Sequence, residues 1–263
     1  MTFLKGFLLN LQFFTSMPIN MQLPMDKKHL ESSIKSFPLV GLFQGFLYSF
    51  LLWFLLNWTP FSLLVIAFAL WLLTILITGG IHLDGWMDAS DAYFSYQDKG
   101  KRLEIMKDPR TGAFGVLSVI ILLGARFLFI YEILNYLTLT SYLLIVFIPF
   151  LSKVVMGTVL VTVPAAKKEG LASLFQEAGN IRSLVVYPFY IVIVVTGCLF
   201  IWVGLLKPVF ILLGVTLVCL LFIRAKAVKW FGGITGDVLG ATVEGTEIFL
   251  WMTLWLLHSF AMV

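Results

Sequence analysis

The sequence predicts an all-α, polytopic membrane protein with about seven transmembrane helices and an N-terminal interfacial helix. Its 263 residues are 60% hydrophobic and 12% charged, and the mean hydropathy is +0.99, well above soluble globular domains. Seven apolar stretches approach or reach the ~20 residues that a helix needs to cross a bilayer. They are residues 36–56, 61–81, 114–134, 139–160, 184–205, 208–223 and 245–263.

The first 30 residues predict an amphipathic helix that lies in the membrane interface. Asn10 and Gln12 interrupt the apolar run that follows Lys5, and no small-residue cleavage site comes after it, which argues against a signal peptide. Steps of four and three residues place four apolar side chains on one helical face. These are Phe3, Phe7, Leu11 and Phe14.

The connections between the apolar stretches alternate in charge, which predicts the orientation. Three short connections contain one basic residue, Lys207, whereas the other connections contain many. The positive-inside rule therefore places the N-terminus and three loops in the cytoplasm, with an inner-membrane location and an external C-terminus. The loops are residues 82–113, 164–183 and 224–244.

No linker or repeat divides the chain, so residues 1–263 are predicted to form one membrane domain. The net charge of +4 does not indicate a nucleic-acid partner, because the basic residues are scattered between apolar segments. Cys198 and Cys219 both lie in apolar runs. They are expected to be packing residues, and they provide neither a disulfide framework nor a C-x-x-C metal site.

The first polar cluster follows the second apolar stretch. Asp84, Asp88 and Asp91 are spaced i, i+4 and i+7, which places them on one stripe of a helix. Three adjacent carboxylates repel one another, so a bound cation would hold them ionised. Oxygen ligands favour Mg²⁺, with Mn²⁺ as a substitute. The alternative is a solvated acidic helix face.

The second cluster is the sequence RLEIMKDPRTGAFG at residues 102–115. Its proline and glycines predict a turn, from which Lys107 and Arg110 can grip phosphate oxygens beside the Gly112 amide while Asp108 assists a metal. The alternative is a basic loop that anchors to anionic lipid.

The third cluster is a glycine-rich segment that contains Gly236, Asp237 and Glu244. Its glycines would allow backbone amides to approach a phosphate, and the acids share a broad helical face. The alternative is close helix packing through small residues. Together, the clusters predict that the cytoplasmic segments 82–113 and 224–247 form an active site.

Two basic residues, Arg126 and Lys153, lie within apolar stretches. Such charges usually face a partner or a water-filled cavity. They are predicted either to contact an anionic substrate or to pair with a buried acid. For Lys153 a further alternative is that its long side chain extends to the membrane interface. His82 beside the first cluster is expected to be a hydrogen-bonded structural residue more readily than a base or ligand.

Acidic residues for a metal and basic residues for phosphate indicate phosphoryl or nucleotidyl transfer. The sequence contains no G-x-x-x-x-G-K-[ST] loop, so P-loop ATP hydrolysis is not indicated.

The three motifs resemble those of the adenosylcobinamide-GDP ribazoletransferases, the cobalamin synthases. The matching runs are GGIHLDGWMDASDA, RLEIMKDPRTGAFG and GGITGDVLGATVE, and LLNLQFFTSMPI and FPLVGLFQG extend the resemblance over most of the chain.

The resemblance implies a Mg²⁺-dependent transfer in which α-ribazole or its 5′-phosphate attacks adenosylcobinamide-GDP and GMP leaves. The product would be adenosylcobalamin or its 5′-phosphate. Metal ligands and acid–base residues would come from the acids, Asp91 being the first candidate for the base, and phosphate contacts from the basic residues and glycines. The acids are Asp84, Asp88, Asp91, Asp108, Asp237 and Glu244, and the phosphate contacts are Lys107, Arg110, Gly112, Gly236, Arg126 and Lys153. Lys153 stands where the resemblance leads us to expect arginine.

Two alternatives remain open at this level. A CDP-alcohol phosphotransferase acting on lipid would require a D-G-x-x-A-R motif followed by G-x-x-x-D-x-x-x-D, which the chain lacks. A transporter would use Arg126 and Lys153 to line a pathway, although most acids lie at one predicted membrane face. Membrane lipid is an expected partner, and the sequence leaves open whether the chain forms a homo-oligomer.

Overall fold

The computed structural model describes residues 1–260, except for the side chain of Leu199, and confirms the all-α class. It contains eleven α-helices and two short 3₁₀ turns, Ile181–Leu184 and Val203–Leu205. The α-helices are α1 Thr2–Phe14, α2 Lys27–Trp58, α3 Leu63–Leu76, α4 Ile81–Phe94, α5 Lys99–Ile105, α6 Ala113–Asn135, α7 Leu139–Thr162, α8 Leu171–Ala178, α9 Val186–Ile201, α10 Leu206–Phe231 and α11 Gly236–Ser259.

The predicted multi-pass character is confirmed. Five helical segments in the described part of the chain are long and apolar enough to cross a membrane: α2, α6, α7, the segment Ile181–Cys198 that includes most of α9, and the segment Val203–Phe231 that includes α10. Counted together, α3 and α4 make a sixth. The last predicted stretch falls mainly on α11, which is long but carries Asp237, Glu244 and Glu247; residues 261–263 lie outside the described residues.

The second predicted stretch, 61–81, contains α3 and the turn after it, and α4 begins at its last residue and meets α3 at an angle of 79°. Gly79 and Gly80 separate them with φ angles of +61° and +78°, a left-handed conformation that glycine adopts without a steric cost. The chain after α1 supports the break, since Ser16 donates its backbone N–H to the Ile77 carbonyl (2.9 Å) and its hydroxyl to the Leu76 carbonyl (2.6 Å). The glycine pair therefore sets the direction of α4.

Helix α7 lies at the centre of the bundle, and α2 and α11 pack along it. Gly41 and Gly45 of α2 allow the closest approach. A Cβ atom at Gly45 would lie 2.6 Å from the Val146 backbone of α7, which is closer than real Cβ atoms come. Small residues four apart are a common way for membrane helices to meet.

Helix α1 is present as predicted, and Leu11 of the predicted apolar face is buried together with Gly6, Leu9 and Asn10. Of that predicted face, Phe3 is exposed. Asn10 donates to the Ser33 carbonyl (2.8 Å) and the Ser36 hydroxyl (2.9 Å) of α2. The asparagine that interrupts the apolar run is thus the contact that holds α1 on α2, and the interfacial location of α1 stays a prediction.

We predict that Gly45→Leu destabilises the bundle by about 1–3 kcal/mol, the usual cost of overpacking a tight contact, because its side chain would force α2 away from α7. Thermal unfolding in detergent measures the effect. Gly214→Leu on α10 is the matched control, since nothing lies within 4 Å of a Cβ atom there. Equal melting temperatures for the two variants would contradict the prediction.

Candidate active site

Acidic residues from α4 and α11 meet at one end of the bundle. Helix α4 packs on α11 so closely that a Cβ atom at Gly85 would lie 2.7 Å from the Asp237 carbonyl oxygen. Asp84 is exposed and Asp88 is half-buried. Burial, followed by the charges of Asp84, Asp237 and Asp91 in that order, raises the pKa of Asp88 to about 6. The structure therefore gathers acids that lie about 150 residues apart in the sequence.

The start of α11 is fixed by contacts that orient Asp237. Thr235 caps the helix by accepting a hydrogen bond from the Val238 N–H (3.2 Å), and its hydroxyl donates to Asp237 Oδ2 (3.2 Å). Just before it, Ile234 forms a short parallel bridge with Ala165. This bridge ties the loop after α7 to the acidic cluster.

Lys167, one of the basic residues of the 164–183 loop, is held near the acids by that bridge. Burial lowers the pKa of Lys167, while the charge of Asp237 raises it and that of Lys107 lowers it. A cavity of about 170 Å³ lies between Lys167, Gly170, Gly236 and Asp237. The sequence signal was the polar run PAAKKEG between two apolar stretches. The predicted phosphate-binding residues Lys107 and Gly236 thus lie in the same region as Lys167.

Asp91 makes a different contact from Asp84 and Asp88. Its carboxylate accepts hydrogen bonds from the Gly112 N–H (2.7 Å) and the Gly115 N–H (2.8 Å) at the start of α6. Both carboxylate oxygens therefore cap the N-terminus of α6. The N-cap residue of that helix is Gly112, which has no side chain to accept these hydrogen bonds.

Asp108 and Arg110 pair with each other on the surface. Arg110 donates to Asp108 through Nε (2.9 Å) and Nη2 (2.6 Å), and this pairing holds the pKa of Asp108 at about 2. The Arg110 side chain is 86% exposed. The structure thus brings the two residues to each other rather than to the acids of α4, and an exposed guanidinium of this kind can still reach a bound phosphate.

Arg126 and Glu244 form an ion pair inside the bundle, between α6 and α11, and both side chains are almost completely buried. Arg126 also donates to the Thr74 hydroxyl (3.4 Å) of α3. Of the two readings of Arg126 that the sequence left open, the structure thus shows pairing with a buried acid. Glu244, predicted as a metal ligand, is engaged by this arginine rather than grouped with the aspartates.

A second buried pair lies next to the first. Lys153 of α7 is 3.9 Å from Glu247 of α11, and Glu247 also accepts a hydrogen bond from Ser152 (2.9 Å). Lys153 therefore faces a buried acid in this structure, and its predicted phosphate contact stays a prediction.

His82 is buried against Phe14, with 6.2 Å between the ring centroids. Its Nε2 atom has no partner among residues 1–260.

The donor chemistry of the cluster fits a metal that is shared with a phosphate ligand. In the described residues, no three His, Cys, Asp or Glu side chains are arranged to hold a metal ion by themselves. Magnesium usually binds through one or two carboxylates together with substrate phosphates. The mutual repulsion that raises the pKa of Asp88 is relieved by a cation, so Asp84, Asp88 and Asp237 suit this second arrangement.

Comparisons with known proteins agree with one another. A family model described as cobalamin-5-phosphate synthase matches residues 6–255. Adenosylcobinamide-GDP ribazoletransferases of Geobacillus sp. (strain WCH70) and Geobacillus kaustophilus are 40% and 39% identical, each over 98% of both chains. That of Halalkalibacterium halodurans is 33% identical over 96% of this chain and 95% of the relative. No solved structure matches the chain.

We predict that Arg126→Met destabilises the protein by about 3–5 kcal/mol, since it leaves Glu244 buried without its partner. The double variant Arg126→Met, Glu244→Leu should recover much of this loss because no charge is left uncompensated. Thermal unfolding in detergent compares the two. If the double variant is no more stable than the single one, the ion pair is not what holds the helices.

We also predict that Asp91→Ala opens the start of α6, because the Gly112 and Gly115 amides lose their acceptor at a cost of about 1 kcal/mol. Hydrogen exchange should then speed up in residues 112–118. Asp84→Ala removes a carboxylate from the same helix without touching those amides and serves as the control. Unchanged exchange in Asp91→Ala would show that the carboxylate is not needed as a cap.

Proposed function

The chain belongs to the cobalamin-5-phosphate synthase family, and from this membership we propose that it is an adenosylcobinamide-GDP ribazoletransferase of cobalamin synthesis. A hydroxyl oxygen of α-ribazole or α-ribazole 5′-phosphate forms a bond to the phosphorus that carries cobinamide. The bond between that phosphorus and the GMP oxygen breaks, and GMP leaves. Within the structure, the observation that supports this reaction is the meeting of acids from α4 and α11 beside Lys167.

Asp84, Asp88 and Asp237 are proposed to hold a divalent ion together with the diphosphate. Magnesium, or manganese in its place, would neutralise the diphosphate and stabilise the negative charge that develops on GMP. The aspartates themselves orient the donor so that the reacting phosphorus faces the ribazole hydroxyl. Asp91 supports them by fixing the start of α6 beside the cluster.

The proton of the attacking hydroxyl goes to Asp84 or Asp88 in this proposal. Both carboxylate oxygens of Asp91 accept backbone hydrogen bonds, so Asp91, the first candidate from the sequence, is less available as a base. A base must lie within hydrogen-bonding reach of the proton that it removes, and Asp84 is exposed on the same helical face.

The phosphate oxygens are proposed to lie against Lys107, Lys167 and Arg110. Lys107 and Lys167 are close enough for the charge of one to lower the pKa of the other, and a polyanion between them would relieve that repulsion. Arg126 and Lys153 are left out of this set because both face buried glutamates. The same pairing argues against a transport pathway along these two residues.

We further propose that the chain lies in the cell's inner membrane with the acid cluster at the cytoplasmic face. The support is the distribution of basic residues. Lys107 and Lys167, from the 82–113 and 164–183 loops, lie near Asp237, whereas Lys207 is the one basic residue in the connections predicted at the other end.

The proposal predicts that the purified protein in lipid nanodiscs releases GMP from adenosylcobinamide-GDP and α-ribazole 5′-phosphate when Mg²⁺ is present, and that chelation of Mg²⁺ stops the release. Asp84→Asn, Asp88→Asn and Asp237→Asn should each lower the rate by about a hundredfold or more, the usual loss when a group that stabilises charge is removed. Chromatography of the released GMP measures the rate.

Glu132→Gln is the matched control, because Glu132 lies near the far end of α6 from the cluster. Each variant must elute as a monodisperse peak before its rate is compared. Wild-type rates in all three aspartate variants would refute the assignment of the cluster, and no GMP release by the wild-type protein would refute the reaction.

A further inference from the structure

A large apolar groove lies on the face of α4 opposite its aspartates. Its volume is about 650 Å³, within the range of sites that bind small molecules. Trp86 and Tyr93 of α4 form its base, and at 100° per residue they point away from Asp84 and Asp88. The groove is therefore separate from the acid cluster, although both are built on α4.

The walls of the groove are the halves of α6 and α10 nearest the acid cluster. Both helices pack on α11, and the groove separates them. Its outer rims carry large apolar side chains that are half exposed or more, including Phe114 (50%) and Ile121 (62%) on α6 and Phe222 (51%) on α10. Because these belong to helices of membrane-crossing length, a bilayer around the bundle would contact the open side of the groove.

The polar groups of the groove are few and mostly satisfied by the protein. The hydroxyls of Ser90, Ser118 and Thr242 donate to carbonyls of their own helices at 2.7–2.8 Å. Lys226 is the only charged side chain among the described lining residues. No described acid forms an ion pair with it, and its ammonium lies 5.3 Å from the Trp230 ring centroid.

We propose that this groove binds one anionic glycerophospholipid, with an acyl chain along the apolar walls and the headgroup phosphate against Lys226. The lining offers an apolar surface and one uncompensated cation, and such a lipid supplies the acyl chain and the anion. Because α4 forms the base of the groove, the bound lipid would brace the helix that carries the aspartates.

The test is native mass spectrometry of the protein extracted from bilayers of equal dioleoylphosphatidylglycerol and dioleoylphosphatidylcholine. The wild-type protein should retain one phosphatidylglycerol in preference to phosphatidylcholine. Lys226→Glu should lower that preference about fivefold or more, the effect of one basic residue near an anionic surface. Gly245→Leu should lower retention of both lipids, because a Cβ atom there meets only Trp86, at 3.4 Å, and the longer side chain fills the groove.

Lys229→Glu is the control, since it makes the same charge change less than one turn along α10 on an exposed residue that does not line the groove. It should retain lipid as the wild type does. Wild-type preference in Lys226→Glu, or an equal loss in Lys229→Glu, would overturn the proposal.

A substrate in the groove would give a different result. Gly245→Leu would then leave lipid retention unchanged and raise the KM for the ribazole substrate, and this outcome also overturns the lipid proposal. If Gly245→Leu does not fold, the comparison of Lys226→Glu with Lys229→Glu decides the question alone. The lipid-retention outcomes do not depend on the proposed reaction, because retention is measured without substrate; only the KM measurement requires that the reaction takes place.

Discussion

The ion pair between Arg126 and Glu244 sets a constraint on the whole bundle. A charge in the interior of a membrane protein is expensive unless it is paired, and here the pair joins α6 to α11 while Arg126 also bonds Thr74 of α3. The neighbouring contact of Lys153 with Glu247 joins α7 to α11. Two positive and two negative charges balance, so the interior stays neutral only when these helices are in register.

The position of the acid cluster follows from this register. Helix α11 carries Glu244 and Glu247 in the interior and Asp237 two turns earlier, at the end of the bundle. Once the glutamates are paired, the position of Asp237 along the axis of the bundle is fixed. The bend at Gly79 and Gly80 then directs α4 against the start of α11, and the aspartates of the two helices meet.

Aspartate side chains serve three purposes in one small region of the structure. Asp84, Asp88 and Asp237 keep oxygens that the backbone does not use, Asp91 satisfies the amides at the start of α6, and Asp108 neutralises Arg110. Helix α4 presents its acids on one side and its aromatic residues on the other. The acid cluster and the apolar groove therefore lie on opposite faces of the same helix.

The sequence by itself determined the all-α class, the seven apolar stretches and the family, because hydropathy and contiguous motifs are local properties of the chain. It also indicated Asp84, Asp88 and Asp237, since helical spacing and charge are readable from neighbouring residues. Only the tertiary structure decided which acids have no basic or backbone partner and stay available to a ligand. The reason is that partners such as Arg126 and Glu244 are 118 residues apart in the sequence. For the same reason Lys167 passed unnoticed: a bridge between two loops, Ala165 to Ile234, brings it to Asp237, and no local pattern records a contact between distant segments.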